Sequence, residues 1–400
     1  MLFRRISVKR ERPELSTMKI AVLGGPGLMG RAIVRDLLES KGVSEVLVAD
    51  IDLAKAEGLV NQYKDKKLTA VQADVSKPDE LAERIKDVDV VINSTWVHNC
   101  HDVLLGCLKA GVHLVDLGGL YHTTLKQLAI HDKVKKADII NVSGCGAAPG
   151  ISNMYAAHAA QELDEIINFH SRPGVSGGGV TYSIRTVIDE LTLDAVIFRD
   201  GEYKFVPPIS GQEIMTFPEP VGELVGFYSI HGELSTVARS FPSIKKLDVK
   251  LSFPADMLHA FETLLSFGLT SEEPIMVGDQ SIAPKDFLIS LLSQPTGDDT
   301  AEEEREWVIL RGIVEGKRGG KPVRITYDCI NQGSEKWNFG GVAWGTAVPP
   351  SAVAQMIAKG MITERGVLGP EACVPVGPFF DELSKRGFEF TRKLEEITKF

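Results

Sequence analysis

Proton-trading and anion-binding side chains gather at a few places in this 400-residue chain. The richest is His231-Gly232-Glu233-Leu234-Ser235-Thr236-Val237-Ala238-Arg239. Ser235 and Thr236 lie three or four positions before Arg239, so on a helical turn they share a face with it. A guanidinium flanked by hydroxyls suits a carboxylate; the plainer alternative is a surface arginine beside a capping Ser or Thr. His231, Glu233 and, earlier, Asp116 are groups that could take a proton from an amine nitrogen and later activate water on an imine. Each has a plain alternative: a satisfied buried histidine, a helix first-turn glutamate and a turn carboxylate. The residues alone do not choose among them. A third place is Gly144-Cys145-Gly146 with Ala148-Pro149-Gly150. Pro149 and Gly150 precede an apolar segment of helical spacing that begins at Ile151. A helix start there would offer N–H groups to a carboxylate, which makes Cys145, Gly146, Pro149 and Gly150 substrate-side candidates.

The stretch that would set these groups to work is Met18-Lys-Ile-Ala-Val-Leu-Gly-Gly-Pro-Gly-Leu-Met-Gly30. An apolar strand runs into Gly25-x-Gly27-x-x-Gly30 and then into an amphipathic segment with Met29, Ile33 and Leu37 four apart. Gly25 permits the tight turn, Gly27 lets backbone approach a pyrophosphate, and Gly30 lets helix pack on strand. Leu28 and Met29 can donate N–H groups to the phosphates, while Pro26 cannot. A second apolar run ends at Asp50, about 20 residues on, where a carboxylate accepts ribose hydroxyls. No arginine follows closely, so NAD is expected over NADP. Asp74 and Val75 would line the adenine pocket, with a turn role as the alternative for Asp74. Asn93, Ser94 and Gly118 would lie near the pyrophosphate and nicotinamide ribose.

The elements needed to position these residues can be read from periodicity. Apolar strands at 19–24, 43–50, 68–74, 88–94, 112–117 and 138–142 alternate with helical segments. They predict an α/β fold, a doubly wound parallel Rossmann sheet of order 3-2-1-4-5-6 whose ligands lie off the carboxyl ends of the strands. After about 165 the pattern changes. Glu165–Ser171 reads as a strand that runs into a glycine-rich stretch at 172–179, read as a mobile lid with a slack surface loop as the alternative. Hairpins are expected at 197–206 and 306–329, strands at 224–230 and 245–253, and helices at 255–267, 284–293 and 350–360. This predicts a second α+β domain with a mixed or antiparallel sheet. The expected division is a flexible extension at 1–17, a dinucleotide-binding domain at 18–150, a substrate and dimerisation domain at 151–345, and a helical segment at 346–400 returning to the first domain.

Composition narrows the function classes. A formal net charge of −10 argues against a nucleic-acid partner. No apolar run approaches the roughly 18 residues that span a bilayer. The five cysteines are odd in number and scattered, with no Cys-x-x-Cys pair, so neither a disulfide framework nor a metal site is suggested, and a reducing cytoplasm is expected.

Taken together, Gly-Gly-x-Gly-Leu-Met-Gly, Val115-Asp116-Leu117-Gly118-Gly119, Ala148-Pro149-Gly150, Ser235-Thr236 with Arg239-Ser240-Phe241-Pro242, and Thr346-x-x-Pro349 resemble the saccharopine dehydrogenase family. The resemblance covers essentially all of 18–390 and is strongest to the L-lysine 6-dehydrogenase branch. It implies an oxidoreductase acting at the C–N bond of an amino-acid substrate, and an oligomer, expected as a homodimer. In the lysine-deaminating branch this means lysine to 2-aminoadipate 6-semialdehyde and ammonia. The chain departs from that branch at His231-Gly232-Glu233-Leu234, where Ser-Gly-Gly-Thr is common, and in the extra glycines of 171–180. The alternative substrates are saccharopine, for which Arg172 or Arg185 would add a second clamp, and a carboxyalkyl-polyamine. A non-catalytic NAD-sensing protein is the reading from a different class.

Overall fold

A computed structural model describes residues 17–177, 182–293 and 305–397. The expectations for residues 1–16 and for Gly178 and Gly179 lie outside the described residues. In chain order the first elements are β1 (Met18–Leu23), α1 (Leu28–Glu39), β2 (Val43–Asp50), α2 (Leu53–Tyr63), β3 (Leu68–Gln72), α3 (Pro78–Ile85), β4 (Val90–Asn93), α4 (Cys100–Ala110), β5 (His113–Asp116), α5 (Tyr121–Leu128), α6 (His131–Lys136) and β6 (Ile140–Val142). Next come α7 (Ile151–Ala160), β7 (Glu165–Ser176), α8 (Ile184–Thr192), β8 (Ala195–Arg199), β9 (Glu202–Val206), β10 (Glu213–Thr216), β11 (Glu223–Tyr228), α9 (Glu233–Ser240) and β12 (Lys246–Phe253). They are followed by α10 (Ala255–Ser266), β13 (Ile275–Val277), β14 (Gln280–Ile282), α11 (Pro284–Leu292), β15 (Trp307–Arg318) and β16 (Lys321–Asn331). The chain ends with α12 (Gly341–Ala358), β17 (Gly366–Leu368), α13 (Pro370–Cys373), α14 (Val376–Ser384) and β18 (Phe390–Glu396).

The first sheet is wholly parallel, in the order β17-β6-β5-β4-β1-β2-β3. Helices cover both faces, so its strands are continuous apolar runs; Ile20, Val22, Val90 and Ile92 are fully buried. The expected 3-2-1-4-5-6 order holds, and β17 extends it by one strand from the far end of the chain. The second sheet runs β10-β11-β12-β7-β15-β16-β18, with the β8–β9 hairpin joined to β12. Among the described residues only β7 and β12 pair parallel there. The C-terminal segment is therefore not simply helical: β17 completes the first sheet and β18 completes the second by pairing with β16.

Two local expectations are corrected. The stretch Arg172 to Ser176 is not part of a lid but the second half of β7, a central strand. Pro173 cannot donate to a ladder, and the β7–β12 pairing passes from Ser171 to Gly174 without partners for Arg172 and Pro173. The partner strand β15 pairs through the same residues and holds the strand extended. The second correction is α12, which begins at Gly341 rather than after Pro349-Pro350. An interior proline costs about 3 kcal/mol. Here the helix is apolar all round and sixteen of its 18 residues are buried, against α1, β4, β5 and α14. That burial outweighs the local penalty.

Candidate active site

The turn after β1 follows the glycine logic closely. A Cβ on Gly30 would lie 2.2 Å from the Gly24 carbonyl oxygen, and one on Gly25 would lie 2.7 Å from Val48 Cγ1. Strand, turn and helix can close to this distance only without side chains. Gly27 caps α1 with no side-chain hydrogen bond, leaving the helix N-terminus open to a phosphate. Asp50 ends β2, where its Oδ1 accepts the Asp52 N–H at 3.0 Å. The cradle fits a dinucleotide.

Gly27, Leu28, Met29, Ser94 and Gly118 open into a cleft of about 720 Å³ between the carboxyl ends of the first sheet and the second sheet. Asp74 and Asn93 serve their own turns instead. Asp74 accepts the Ser76 hydroxyl at 2.6 Å and the Ser76 N–H, and Ser76 with Lys77 lowers its pKa. Asn93 is buried, with Oδ1 accepting the Thr95 N–H and hydroxyl. Val75 packs against the flank of the first sheet.

The far wall of the cleft carries a cluster of titratable side chains. A Cβ on Gly232 would lie 3.0 Å from Pro149 Cγ. That close fit presses the His231-Gly232 turn onto the loop that follows β6. His231 thus faces the cleft close to Gly118 and Gly119. Its Nδ1 lies 3.1 Å from Glu233 Oε2, and its Nε2 lies 3.5 Å from Glu190 Oε1, at ion-pair range without hydrogen-bond alignment. Burial alone would discharge the ring, but Glu233 and Glu190 outweigh it and raise the His231 pKa to about 10. Glu233 is fully buried; its Oε1 accepts the Ser152 hydroxyl at 2.8 Å and the Ser171 hydroxyl at 3.3 Å. Against the cost of burial, His231 and Ser152 keep its pKa low. On the other side of the imidazole, the Tyr182 hydroxyl donates to Glu190 Oε2 at 2.6 Å. Arg185, also on α8, lies over the Trp96 ring at 4.8 Å in the cleft, and its closest carboxylate, the exposed Asp286, is 4.0 Å away.

Other candidates lie away from the cleft or are held by the chain itself. Asp116 does not reach the cleft. It is fully buried at the end of β5, where it accepts the Gln127 amide at 2.8 Å, the Asn141 amide at 3.3 Å and the Gly144 N–H at 3.1 Å. Burial pushes its pKa up against those hydrogen bonds. Its work is to hold the 144–150 loop. The expected carboxylate seat at α7 is filled by the chain itself: Asn153 Oδ1 accepts the Gly150 N–H, and Gly146 and Ala147 carbonyls accept those of Ile151 and Ser152. Cys145, Gly146, Pro149 and Gly150 are buried, and it is Ala147 and Ala148 that line the cleft.

The Ser235–Thr236–Arg239 clamp is not formed. Ser235 donates to the Tyr121 carbonyl and Thr236 accepts the Asn153 amide, both inside the protein. Arg239 stands exposed beside the Tyr121 and Tyr203 phenols. Arg172 points to the opposite face of the second sheet and pairs with Asp248 at 2.7 Å. Sequence reading passed over Tyr182, Glu190 and Trp96, and weighed Arg185 only for saccharopine. The available signal was the apolar spacing of Val187, Ile188 and Leu191, which turns Arg185 and Glu190 away from that core.

A dinucleotide cradle facing a buried imidazole–carboxylate cluster defines a nicotinamide-dependent oxidoreductase. The chain belongs to the saccharopine dehydrogenase family: residues 20–142 match the saccharopine dehydrogenase NADP binding domain and residues 146–388 the saccharopine dehydrogenase C-terminal domain. It is 21% identical over 391 residues to the carboxyaminopropylagmatine dehydrogenase of Synechocystis, covering 92% of this chain and 96% of that one. It is 25% identical over 398 residues to the carboxynorspermidine synthase of Vibrio cholerae, covering 91% and 94%. The fold matches the saccharopine dehydrogenase (L-Glu forming) of Saccharomyces cerevisiae with a TM-score of 0.72 at 17% identity, over 94% of this chain and all of that one. Among the described residues no helix is long and apolar enough to cross a membrane.

Proposed function

We propose that this protein is a nicotinamide-dinucleotide-dependent dehydrogenase or reductase acting at the secondary amine of a carboxyalkyl-polyamine. The observation that carries the reading is the charge inventory of the cleft. Among its described lining residues the charged side chains are Arg185, Glu190 and His231. Arg185 supplies one guanidinium for one carboxylate. Around His231, two carboxylates face one imidazolium, a net negative seat for cationic nitrogens. Saccharopine brings extra carboxylates that this cleft does not balance. The relatives that match over nearly their whole length bear names denoting carboxylated polyamines, and this favours the alternative over lysine. When bound, the dinucleotide supplies or accepts the hydride at the substrate carbon. His231 exchanges a proton with the adjacent nitrogen, and Arg185 fixes the carboxylate.

The test is dinucleotide reduction by purified protein given carboxynorspermidine, saccharopine or L-lysine. Turnover with carboxynorspermidine supports the proposal; turnover confined to saccharopine or lysine overturns it. Arg185→Gln is expected to raise KM for the carboxylated substrate about 10- to 100-fold with little change in kcat, the size of a charge-assisted hydrogen bond.

We also take NAD as the preferred cofactor, because Asp50 would repel a 2′-phosphate and Ile51 beside it is 65% exposed and uncharged. Asp50→Ala should raise KM for NAD about tenfold, one lost hydrogen-bonded pair, and leave KM for NADP the same or lower. The five cysteines are buried free thiols, in keeping with a cytoplasmic setting.

A further inference from the structure

Glu190 holds the side of the His231 ring that Glu233 does not, and the proton exchange at nitrogen makes no use of it. The two carboxylates are differently placed. Glu233 is wholly enclosed, and both its oxygens are committed, one to Ser152 and Ser171 and the other to His231 Nδ1. It positions the imidazole. Glu190 lines the cleft together with His231 and Tyr182. One oxygen accepts the Tyr182 hydroxyl, and the other sits 3.5 Å from the unbonded His231 Nε2. Burial and Glu190 together raise the Tyr182 pKa well above its usual value, so the phenol remains a donor.

Chemistry at a C–N bond needs more than a proton on nitrogen. The imine must also gain or lose water. We propose that Glu190, oriented by Tyr182, is the catalytic group that handles this water, with His231 passing protons between it and the substrate nitrogen. The inference rests on the amine-oxidoreductase reading above and assigns the second half of that reaction.

The steps balance. Hydride departure from the carbon of the neutral amine leaves an iminium. Water adds through oxygen to that carbon while Glu190 takes one of its protons, and the iminium becomes a carbinolamine. His231 gives its Nε2 proton to the nitrogen and is recharged by Glu190 across the 3.5 Å gap. Glu190, a carboxylate again, takes the hydroxyl proton as the C–N bond breaks. The products are a carbonyl compound and a free amine, and Glu190 sheds one proton to solvent. In the synthetic direction the same groups run in reverse, and Glu190 protonates the departing hydroxide.

Rapid-mixing measurements of dinucleotide reduction with carboxynorspermidine separate the two halves. Glu190→Gln should keep first-turnover hydride transfer within a few-fold of the parent protein while steady-state turnover falls about 100-fold, the scale of a lost general acid–base group. Tyr182→Phe should show the same split at about tenfold, and it carries the test if the Gln variant does not fold. Parent-like steady-state turnover in both variants, or equal loss of the two phases, overturns the inference while the functional reading stands. No dinucleotide reduction by the parent protein overturns the functional reading, and the inference with it.

Discussion

Replacing His231 with Asn is expected to lower kcat by 10²- to 10⁴-fold while leaving affinity for the dinucleotide within a few-fold, measured by steady-state rates and by titration of the cofactor. The range is that of a positioned general acid–base group. The dinucleotide seat lies on the β1–α1 turn, on other elements from His231, so binding and catalysis should separate cleanly. A folding effect accompanies the catalytic one. The imidazolium stands between Glu190 and Glu233, and its pKa is raised to about 10 in the folded protein. A raised pKa means that the folded state binds this proton more tightly than the unfolded chain does. The associated stability is full below the ordinary histidine value of about 6.5 and is lost as pH rises through about 10. The variant's deficit relative to the parent should therefore be greatest at acidic pH, shrink as pH rises from about 6.5, and vanish above about pH 10. Imine reduction by the parent should hold steady across neutral pH and decline as the ring discharges at high pH.

The largest purely structural effect is expected at Asp248, on the opposite face of the second sheet from the cleft. Its carboxylate is almost fully buried and meets two guanidinium groups, Arg172 at 2.7 Å and Arg199 at 2.6 Å, and the His170 ring nitrogen at 3.0 Å. Burial opposes ionisation, but these partners together hold its pKa far below the usual carboxylate range. Removing one partner of a buried ion cluster strands the others, at about 3–5 kcal/mol. Asp248→Asn should lower the urea midpoint accordingly, with no change in the slope of the transition. The sign follows from the depressed pKa: the contribution is complete above the unfolded value of about 3.9 and fades as pH falls through the folded one. The gap between parent and variant should thus be flat from pH 5 to 8 and close only in acid. An Asp248→Asn protein as stable as its parent would remove the cluster from the account of what holds β7, β8 and β12 together.

Much of this architecture was legible in the chain because local pattern and tertiary outcome agree. The strand–glycine–helix unit at 18–39 needs no distant partner to be recognised, and the six parallel strands are apolar because helices cover both their faces. Segments whose conformation is decided from outside were not legible. Pro173 and Gly174 look like a break, yet β15 holds them extended; Pro349 and Pro350 look like a helix start, yet α12 runs through them because its whole circumference is buried.

The site divides in the same way. His231 and Glu233 could be picked out because they are close in sequence. Asp116 was misjudged because a carboxylate at a strand end looks the same whether it faces a ligand or a ring of amides; Gln127 and Asn141, which settle the matter, are remote in sequence. Arg239 failed for a related reason. Helical spacing does align it with Ser235 and Thr236, but it says nothing of which side of α9 meets the cleft. Glu190 meets His231, and Arg185 shares its cleft, only in the folded chain, and no spacing rule joins residues about forty or more positions apart.

The placement of β17 and β18 has a consequence for how the protein is made. Both strands lie after residue 365, and each supplies the outermost member of a different sheet. During translation, β6 and β16 therefore stand with unpaired edges until β17 and β18 have been made. Neither half can be finished early and wait for the other. A chain cut short before Gly366 would leave two open edges on one polypeptide, one on each sheet.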